Sequence, residues 1–228
     1  ILLRFSPNGR WLAAVHEAIY YYPGQEGDNT VSLWDLSSED PPASVIRFEG
    51  HSDNITNLTF TKNNRWLITA SDDTTARLWD LKTQDPTADS ITLTGHTSKI
   101  YDAAVTPDGK WLATASDNAA IRMWDLSSEE PASEQLVLNA HQQTIVDIEI
   151  SQNGRRLASA SYDGTVMLWD ISDMDALPEP IALDCREPVL SLAFSKDGRW
   201  LAAGGFDSVV RLWHLRHLED GSPYAELH

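Results

Sequence analysis

The sequence predicts an all-β protein built from five repeated units, and three observations support this prediction. Tryptophan recurs every 44 or 45 residues, in Trp-Asp pairs that begin at positions 34, 79, 124 and 169 and in a Trp-His pair that begins at 213. A second large residue stands 13 positions before each of the last four: Trp66, Trp111, Arg156 and Trp200. Each unit also contains four short runs of branched and aromatic residues, which favour strands. Four strands in about 45 residues predict one blade of a β-propeller.

The elements of one unit can be followed in order along the second repeat. Its four predicted strands are ITNLTF, RWLITAS, ARLWDL and SITLTG. A polar turn separates the first strand from the second in every unit, with sequences such as TKNNR, TPDGK and SKDGR. A β-sandwich uses similar strands but does not repeat its sequence unit by unit. We therefore predict one domain, residues 1–228, with five antiparallel blades at approximately 1–49, 50–94, 95–139, 140–184 and 185–228.

The composition restricts the classes of partner. The formal net charge is −17, which argues against binding to nucleic acid or to an anionic membrane. The one cysteine, Cys185, excludes an internal disulfide. No apolar run approaches the roughly 18 residues of a membrane span, and the start of the sequence lacks the features of a secretory leader. We therefore expect a cytoplasmic protein.

The repeats resemble one known family, the WD-repeat (WD40) β-propellers, over the whole chain. The resemblance rests on the Gly-His pairs at 50–51 and 95–96, the degenerate Ala140-His141, the turns SDD and SYDG, and the Trp-Asp pairs. The turn sequences are similar to those of bacterial multi-repeat arrays. Because rings in this family most often have seven blades, the resemblance implies that these five belong to a longer propeller. A closed five-blade ring is the alternative.

The resemblance implies that each complete blade holds a buried hydrogen-bonded set of a loop His, a second-strand Ser or Thr, a turn Asp and the third-strand Trp. The sets fall on His51, Thr69, Asp73 and Trp79; on His96, Thr114, Asn118 and Trp124; and on His141, Ser159, Asp163 and Trp169. Hydrolases also combine Ser, His and Asp, but an active site occurs once and this set recurs in successive units. We therefore expect no catalytic residues, no metal ligands and no cofactor. The first and last units lack the set, because Ala14, Cys185 and Ala203 occupy its positions.

The resemblance also implies partner contacts on the top face, which is the side of the disc where the loops after the second and fourth strands lie. Contacts in the family favour the third and fifth residues after the loop histidine and the residue before the turn aspartate. In this chain those positions include Asn54, Thr56, Asp72, Lys99, Tyr101, Asp117, Tyr162, Leu190 and Phe206.

The first unit carries an insertion. Trp11 and Trp34 are 23 residues apart, whereas the corresponding distance in the other units is 13. The extra residues lie between the second and third strands, so Tyr20, Tyr21 and Tyr22 map to the top face and are predicted to bind the partner. The alternative is that this loop folds down over the place of the missing histidine set or over the place of the neighbouring, absent blade.

These observations predict a non-catalytic scaffold that binds a protein or peptide through its top face, with Asp72 and Asp117 favouring a basic segment. The remaining blades of the ring are the other expected partner. The alternative function is a sensor or regulatory domain of a larger signalling enzyme, such as a switch ATPase, a caspase-like protease or a kinase. A propeller hydrolase would need acids that converge on the central channel, where ITNLTF and IYDAAV offer only scattered ones.

Overall fold

The structure, a computed structural model, describes residues 2–15, 29–88, 90–133, 135–139, 141–216, 218 and 225–227. The described residues form five antiparallel sheets of four strands each. Every sheet takes its strands in chain order, and we number the sheets as blades 1 to 5 along the chain. This arrangement confirms the all-β architecture of four-stranded antiparallel blades.

The strands fall into four classes by their place in the blade. The inner strands are β1 (Leu2–Phe5), β5 (Ile55–Phe60), β9 (Ile100–Val105), β13 (Ile145–Ile150) and β17 (Val189–Phe194). The second strands are β2 (Trp11–Val15), β6 (Trp66–Ser71), β10 (Trp111–Ser116), β14 (Arg156–Ser161) and β18 (Trp200–Gly205). The third strands are β3 (Val31–Asp35), β7 (Ala76–Asp80), β11 (Ala120–Asp125), β15 (Thr165–Asp170) and β19 (Val210–His214). The outer strands are β4 (Ile46–Phe48), β8 (Ser90–Leu93), β12 (Gln135–Asn139), β16 (Ile181–Asp184) and β20 (Ala225–Leu227).

A 3-10 helix at Pro41–Ser44 precedes β4. None of the helices in the described ranges is long and apolar enough to cross a membrane.

The core lies between consecutive blades, because the second and third strands of blades 2 to 4 are covered on both sides and those of blades 1 and 5 on one side. Blade 2 presents Leu67 and Trp79 to blade 1, which contributes Ala13, Val15 and Leu33 to the same cluster. The other pairs of consecutive blades repeat this arrangement with the equivalent residues. The 45-residue period therefore corresponds to one interface repeated along the molecule.

The five blades form an open arc. Inner strands contact one another in chain order from β1 to β17, and within the described residues no contact of comparable extent joins β17 to β1. Blade 1 leaves uncovered the face that carries Trp34. Trp34 is therefore half-buried, and Leu3 is 54% exposed. Blade 5 leaves the opposite face uncovered, where Val210 is exposed. The closed five-blade ring is not the arrangement observed, and the total number of blades stays a prediction.

Candidate functional site

The predicted hydrogen-bonded set of blade 2 comes together in the structure. Trp79 Nε1 donates to Thr69 Oγ1 at 3.2 Å, and Thr69 Oγ1 lies 2.7 Å from His51 Nε2. His51 Nδ1 lies 2.8 Å from Asp73 Oδ2. Although burial opposes the shift, hydrogen bonds from His51 and Thr75 hold the pKa of Asp73 well below its usual range. The set therefore joins two strands to the loop above them.

Blade 4 repeats the arrangement with serine. Ser159 Oγ lies 3.4 Å from Trp169 Nε1 and 2.8 Å from His141 Nε2, and His141 Nδ1 lies 3.0 Å from Asp163 Oδ2. Burial lowers the pKa of His141 against the attraction of Asp163. Ser159 is 0% exposed, so a substrate cannot reach its hydroxyl. The Ser, His and Asp of this blade therefore form a buried hydrogen-bonded set with a structural role.

Blade 3 departs from the predicted set at one residue. Trp124 Nε1 and His96 Nε2 both bond Thr114 Oγ1, at 2.9 and 2.8 Å. Asn118 turns its amide to Thr97 Oγ1 at 2.8 Å, and the buried Nδ1 of His96 has no hydrogen-bond partner. Burial lowers the pKa of His96 to about 4. The expected set is thus made by three residues, because Asn118 does not supply the acceptor that Asp73 and Asp163 provide.

Blade 5 uses a different support in place of the set. Arg211 is buried between Asp207, with its Nη1 2.7 Å from Oδ2, and Glu226, with its Nε 3.3 Å from Oε1. Cys185 is 2% exposed, and burial raises the pKa of its thiol to about 12. Such a thiol is a small core residue and not a nucleophile.

Two features of blades 2 to 5 position the top face. The first is a backbone hydrogen bond from the residue before the turn aspartate to the loop that follows the outer strand. It recurs as Asp72 to Asn54 (2.9 Å), Asp117 to Lys99 (2.9 Å), Tyr162 to Thr144 (3.0 Å) and Phe206 to Pro188 (3.1 Å). The loops of one blade are therefore held together, and their side chains have defined positions.

The second feature is a β-bulge near the top of each inner strand from β5 to β17. The extra residues, which the ladder skips, are Thr56, Tyr101, Val146 and Leu190. A bulge redirects the side chain of the extra residue, and Tyr101 and Leu190 are both exposed. Thr56 instead links two blades, since its hydroxyl donates to the Ile100 carbonyl of blade 3 at 2.6 Å. No feature of the sequence pattern predicted these bulges.

The exposed large hydrophobic side chains on this face form what we call the aromatic surface, namely Tyr101, Tyr162, Leu190 and Phe206. Phe206 is 64% exposed, and the other three are 38–39% exposed. The Phe206 ring stacks with Tyr162, with centroids 6.2 Å apart and planes inclined by 29°. Burial, followed by the charge of Asp117, raises the pKa of Tyr101, and Tyr162 acts on it in the same direction. The surface therefore runs over blades 3, 4 and 5.

Charged groups border the aromatic surface on blades 2 and 3. Lys99 Nζ lies 3.0 Å from Asp72 Oδ2, which also accepts a 3.4 Å hydrogen bond from Asn54. The hydrogen bond to Asp72 raises the pKa of Lys99. Asp117 is exposed and accepts from Thr144 Oγ1 at 2.5 Å. The border is thus a hydrogen-bonded network with excess negative charge.

Two other predictions concern this site. Tyr20, Tyr21 and Tyr22 lie outside the described residues, so their place on the top face stays a prediction. Within the ranges that the structure describes, no three His, Cys, Asp or Glu side chains are grouped so that they could hold a metal ion.

Comparison with known proteins identifies the repeats. The family model of the WD domain, G-beta repeat, matches residues 3–35, 43–80, 89–125, 132–170 and 182–214, which is well over half of the chain. The chain is also similar to the target of rapamycin complex subunit LST8 of Saccharomyces cerevisiae (strain ATCC 204508 / S288c), with 40% identity over 47 residues. That match covers 21% of the chain and 15% of the relative, so it extends over a small part of either protein. Five consecutive family matches confirm the resemblance seen in the repeats, and the chain belongs to the WD-repeat (WD40) family of β-propellers.

Proposed function

We propose that this protein is a non-catalytic interaction scaffold that binds a protein or peptide through its top face, with the aromatic surface as the apolar anchor. The observation that carries the proposal is the Tyr162–Phe206 stack, in which Phe206 remains 64% exposed. Exposed aromatic side chains held in place are typical of binding hot spots. WD repeats generally serve as protein-interaction scaffolds, and the similarity to a complex subunit supports the same role.

The charge around the aromatic surface favours a partner with a basic segment. Asp117 is exposed beside Tyr101, and the chain as a whole carries a net charge of −17. A field of one sign steers oppositely charged partners and raises their association rate. The expected ligand therefore combines an apolar residue, which packs on Phe206, with a nearby Lys or Arg.

Peptides selected from a random phage-displayed library against the wild-type chain test this function. We expect Y101A/Y162A and F206A each to weaken binding of the selected peptides by about tenfold or more, since aromatic hot spots contribute at least about 1–2 kcal/mol. Calorimetric titration measures the dissociation constants, and urea unfolding verifies that the variants stay folded.

The matched control is V137A/I181A, which truncates two side chains that are 41–42% exposed on the outer strands, away from the top face. It should bind the same peptides as the wild type does. Selected peptides that bind Y101A/Y162A and F206A with unchanged affinity would refute the proposed surface.

A further inference from the structure

The tryptophans that begin the second strands differ in what covers their rings. The guanidinium group of Arg10 lies 4.6 Å from the centre of the Trp11 ring, and that of Arg65 lies 4.4 Å from the centre of the Trp66 ring. Both tryptophans are buried, with exposures of 8% and 4%. Each arginine directly precedes its tryptophan, so the chain itself supplies a cation that stacks on the aromatic ring.

A carboxylate on the neighbouring third strand holds each of these guanidinium groups. In both blades it belongs to the residue that pairs with the tryptophan across the ladder. Arg10 Nη2 lies 2.7 Å from Asp35 Oδ2, and Arg65 Nε lies 3.0 Å from Asp80 Oδ2. A ring and a carboxylate at paired positions therefore form a site for one guanidinium group, and blades 1 and 2 fill this site with their own arginines.

Blade 3 keeps the ring and the carboxylate but has no arginine at this place. Trp111 pairs with Asp125 across the ladder, and Lys110 takes the position of the two arginines. Among the residues that the structure describes, no cation lies over the Trp111 ring or forms an ion pair with Asp125. Trp111 is only half-buried, and Lys110 is exposed. An ammonium group is a compact, strongly hydrated charge, whereas a guanidinium group is planar and stacks on aromatic rings.

The Trp111 side chain forms one wall of an open cavity of about 460 Å³ between blades 3 and 4. The cavity lies on the bottom face, opposite the top face, because the loops that follow the third strands border it. These loops, residues 126–133 and 171–180, contain several acidic residues and no Lys or Arg. The other lining residues are Ser133, Gln135, Leu136, Met174 and Asp175.

The polar groups of this cavity leave one carboxylate available. Gln135 accepts a hydrogen bond from Arg122, and the Ser133 hydroxyl donates to the Glu130 carbonyl at 2.8 Å. Within the described part of the chain, the exposed carboxylate of Asp175 has neither a hydrogen bond nor an ion pair. The cavity therefore offers an aromatic ring, apolar walls and an unpaired negative charge.

We propose that this cavity binds an arginine side chain of a separate protein partner, with the guanidinium group stacked on Trp111 and its charge met by Asp125 and Asp175. The occupant is argued from the chain's own arginines, which make the same two kinds of contact in blades 1 and 2. The acidic loops attract a cation, and Leu136 and Met174 provide apolar contacts for a neighbour of that arginine. The site is separate from the aromatic surface, so the scaffold holds a second partner on its bottom face.

A Leu-Arg-Leu peptide, acetylated and amidated at its ends, is the probe for this site, and Leu-Lys-Leu is the matched control peptide. The readout is the indole N–H resonance of Trp111 in the nuclear magnetic resonance spectrum, identified by its loss in W111F. We expect Leu-Arg-Leu to shift this resonance saturably. Leu-Lys-Leu should bind at least about fivefold more weakly, because its charge is equal but its ammonium group does not stack.

K110R is the decisive variant, because it supplies the guanidinium group from within the chain and leaves the net charge unchanged. It should weaken binding of Leu-Arg-Leu by about tenfold or more, and D175N should weaken it severalfold. The control K196R makes the same exchange in the exposed first turn of blade 5 and should bind as the wild type does.

Three results would overturn the proposal. The first is a Trp111 resonance that does not respond to Leu-Arg-Leu, and the second is a K110R variant that binds this peptide with wild-type affinity. The third comes from sedimentation of the peptide-free protein. Self-association of the wild type that is lost in K110R would place a second copy of this chain, and not a separate partner, in the cavity.

Discussion

At the scale of single residues, each complete histidine set has one direction of donation. The indole N–H of Trp79 donates to Thr69, which leaves the threonine hydroxyl proton for Nε2 of His51. Nδ1 of the histidine then carries the hydrogen that Asp73 accepts. Because every donor of this set finds an acceptor within it, the four side chains satisfy one another's buried polar atoms, and the arrangement stabilises the blade.

Asn118 interrupts this relay in blade 3, and N118D should restore it. Aspartate would accept the unpaired Nδ1–H of His96 and raise the free energy of unfolding at pH 7 by about 1–2 kcal/mol. The pKa of His96 is about 4 in the folded state, below its ordinary 6.5, so the wild type loses stability as pH falls from 6.5 towards 4. N118D should reduce that loss, as measured by urea unfolding at both ends of this range.

The matched variant in blade 2 is D73N, which removes the acceptor from an intact set. It should lower the free energy of unfolding by about 1–3 kcal/mol. If N118D proved no more stable than the wild type at pH 7, the unpaired nitrogen of His96 would not be the weak point of blade 3.

The Gly-His pairs show how much residue detail the repeats contain. A Cβ at Gly50 would lie 2.8 Å from the guanidinium of Arg77, and one at Gly95 would lie 3.0 Å from that of Arg122. In the fourth repeat, where alanine precedes the histidine, Met167 occupies the position of these arginines. In repeats 2 to 4 the sequence therefore already shows glycine before the histidine only together with arginine on the third strand. The reason for this pairing is the contact between the loop and the third strand, which only the structure shows.

At the scale of elements, the repeat predicted the strands well. ITNLTF is β5 without a change at either end, and the other runs of the second unit form β6, β7 and β8. The bulges at Tyr101 and Leu190 could not be predicted, because one extra residue leaves the alternation of a six-residue strand almost unchanged. These bulges direct the side chains of Tyr101 and Leu190 to the surface. The family resemblance therefore predicted these two contact positions but not the reason that they are exposed.

The tryptophans that end the third strands should differ in their contribution to stability. Trp79 is 1% exposed and packs edge-to-face on Phe48 at 5.0 Å, whereas Trp34 lies half-buried on the open face of blade 1. We expect W79A to cost about 3–5 kcal/mol, as truncation of a fully buried tryptophan does. W34A should cost less than half as much. Urea unfolding of both variants makes the comparison, and equal losses would show that the face of Trp34 is covered in solution.

At the scale of the whole molecule, the sequence predicted five blades but not how they close. The 45-residue period reveals how many blades a chain contains. Closure of the ring depends instead on contacts between β1 and the last inner strand, which a repeat does not reveal. In the described residues these strands do not pack together, and apolar side chains such as Leu3 and Phe5 stay exposed at one end of the arc. The expectation of a longer ring rests on the family resemblance and on these uncovered faces.

The net charge of −17 should make the stability of the molecule depend on salt. Like charges repel in the compact state, and salt screens the repulsion. E39Q/E129Q/E130Q removes three exposed charges from the loops after β3 and β11, and should raise the free energy of unfolding by up to about 0.5 kcal/mol per site. The gain, measured by urea unfolding, should shrink between about 0.01 M and about 1 M salt, where the screening length falls tenfold. The charge-conserving control E39D/E129D/E130D should show no gain, and a gain that persists undiminished at high salt would mean that local contacts, not overall charge, set the effect.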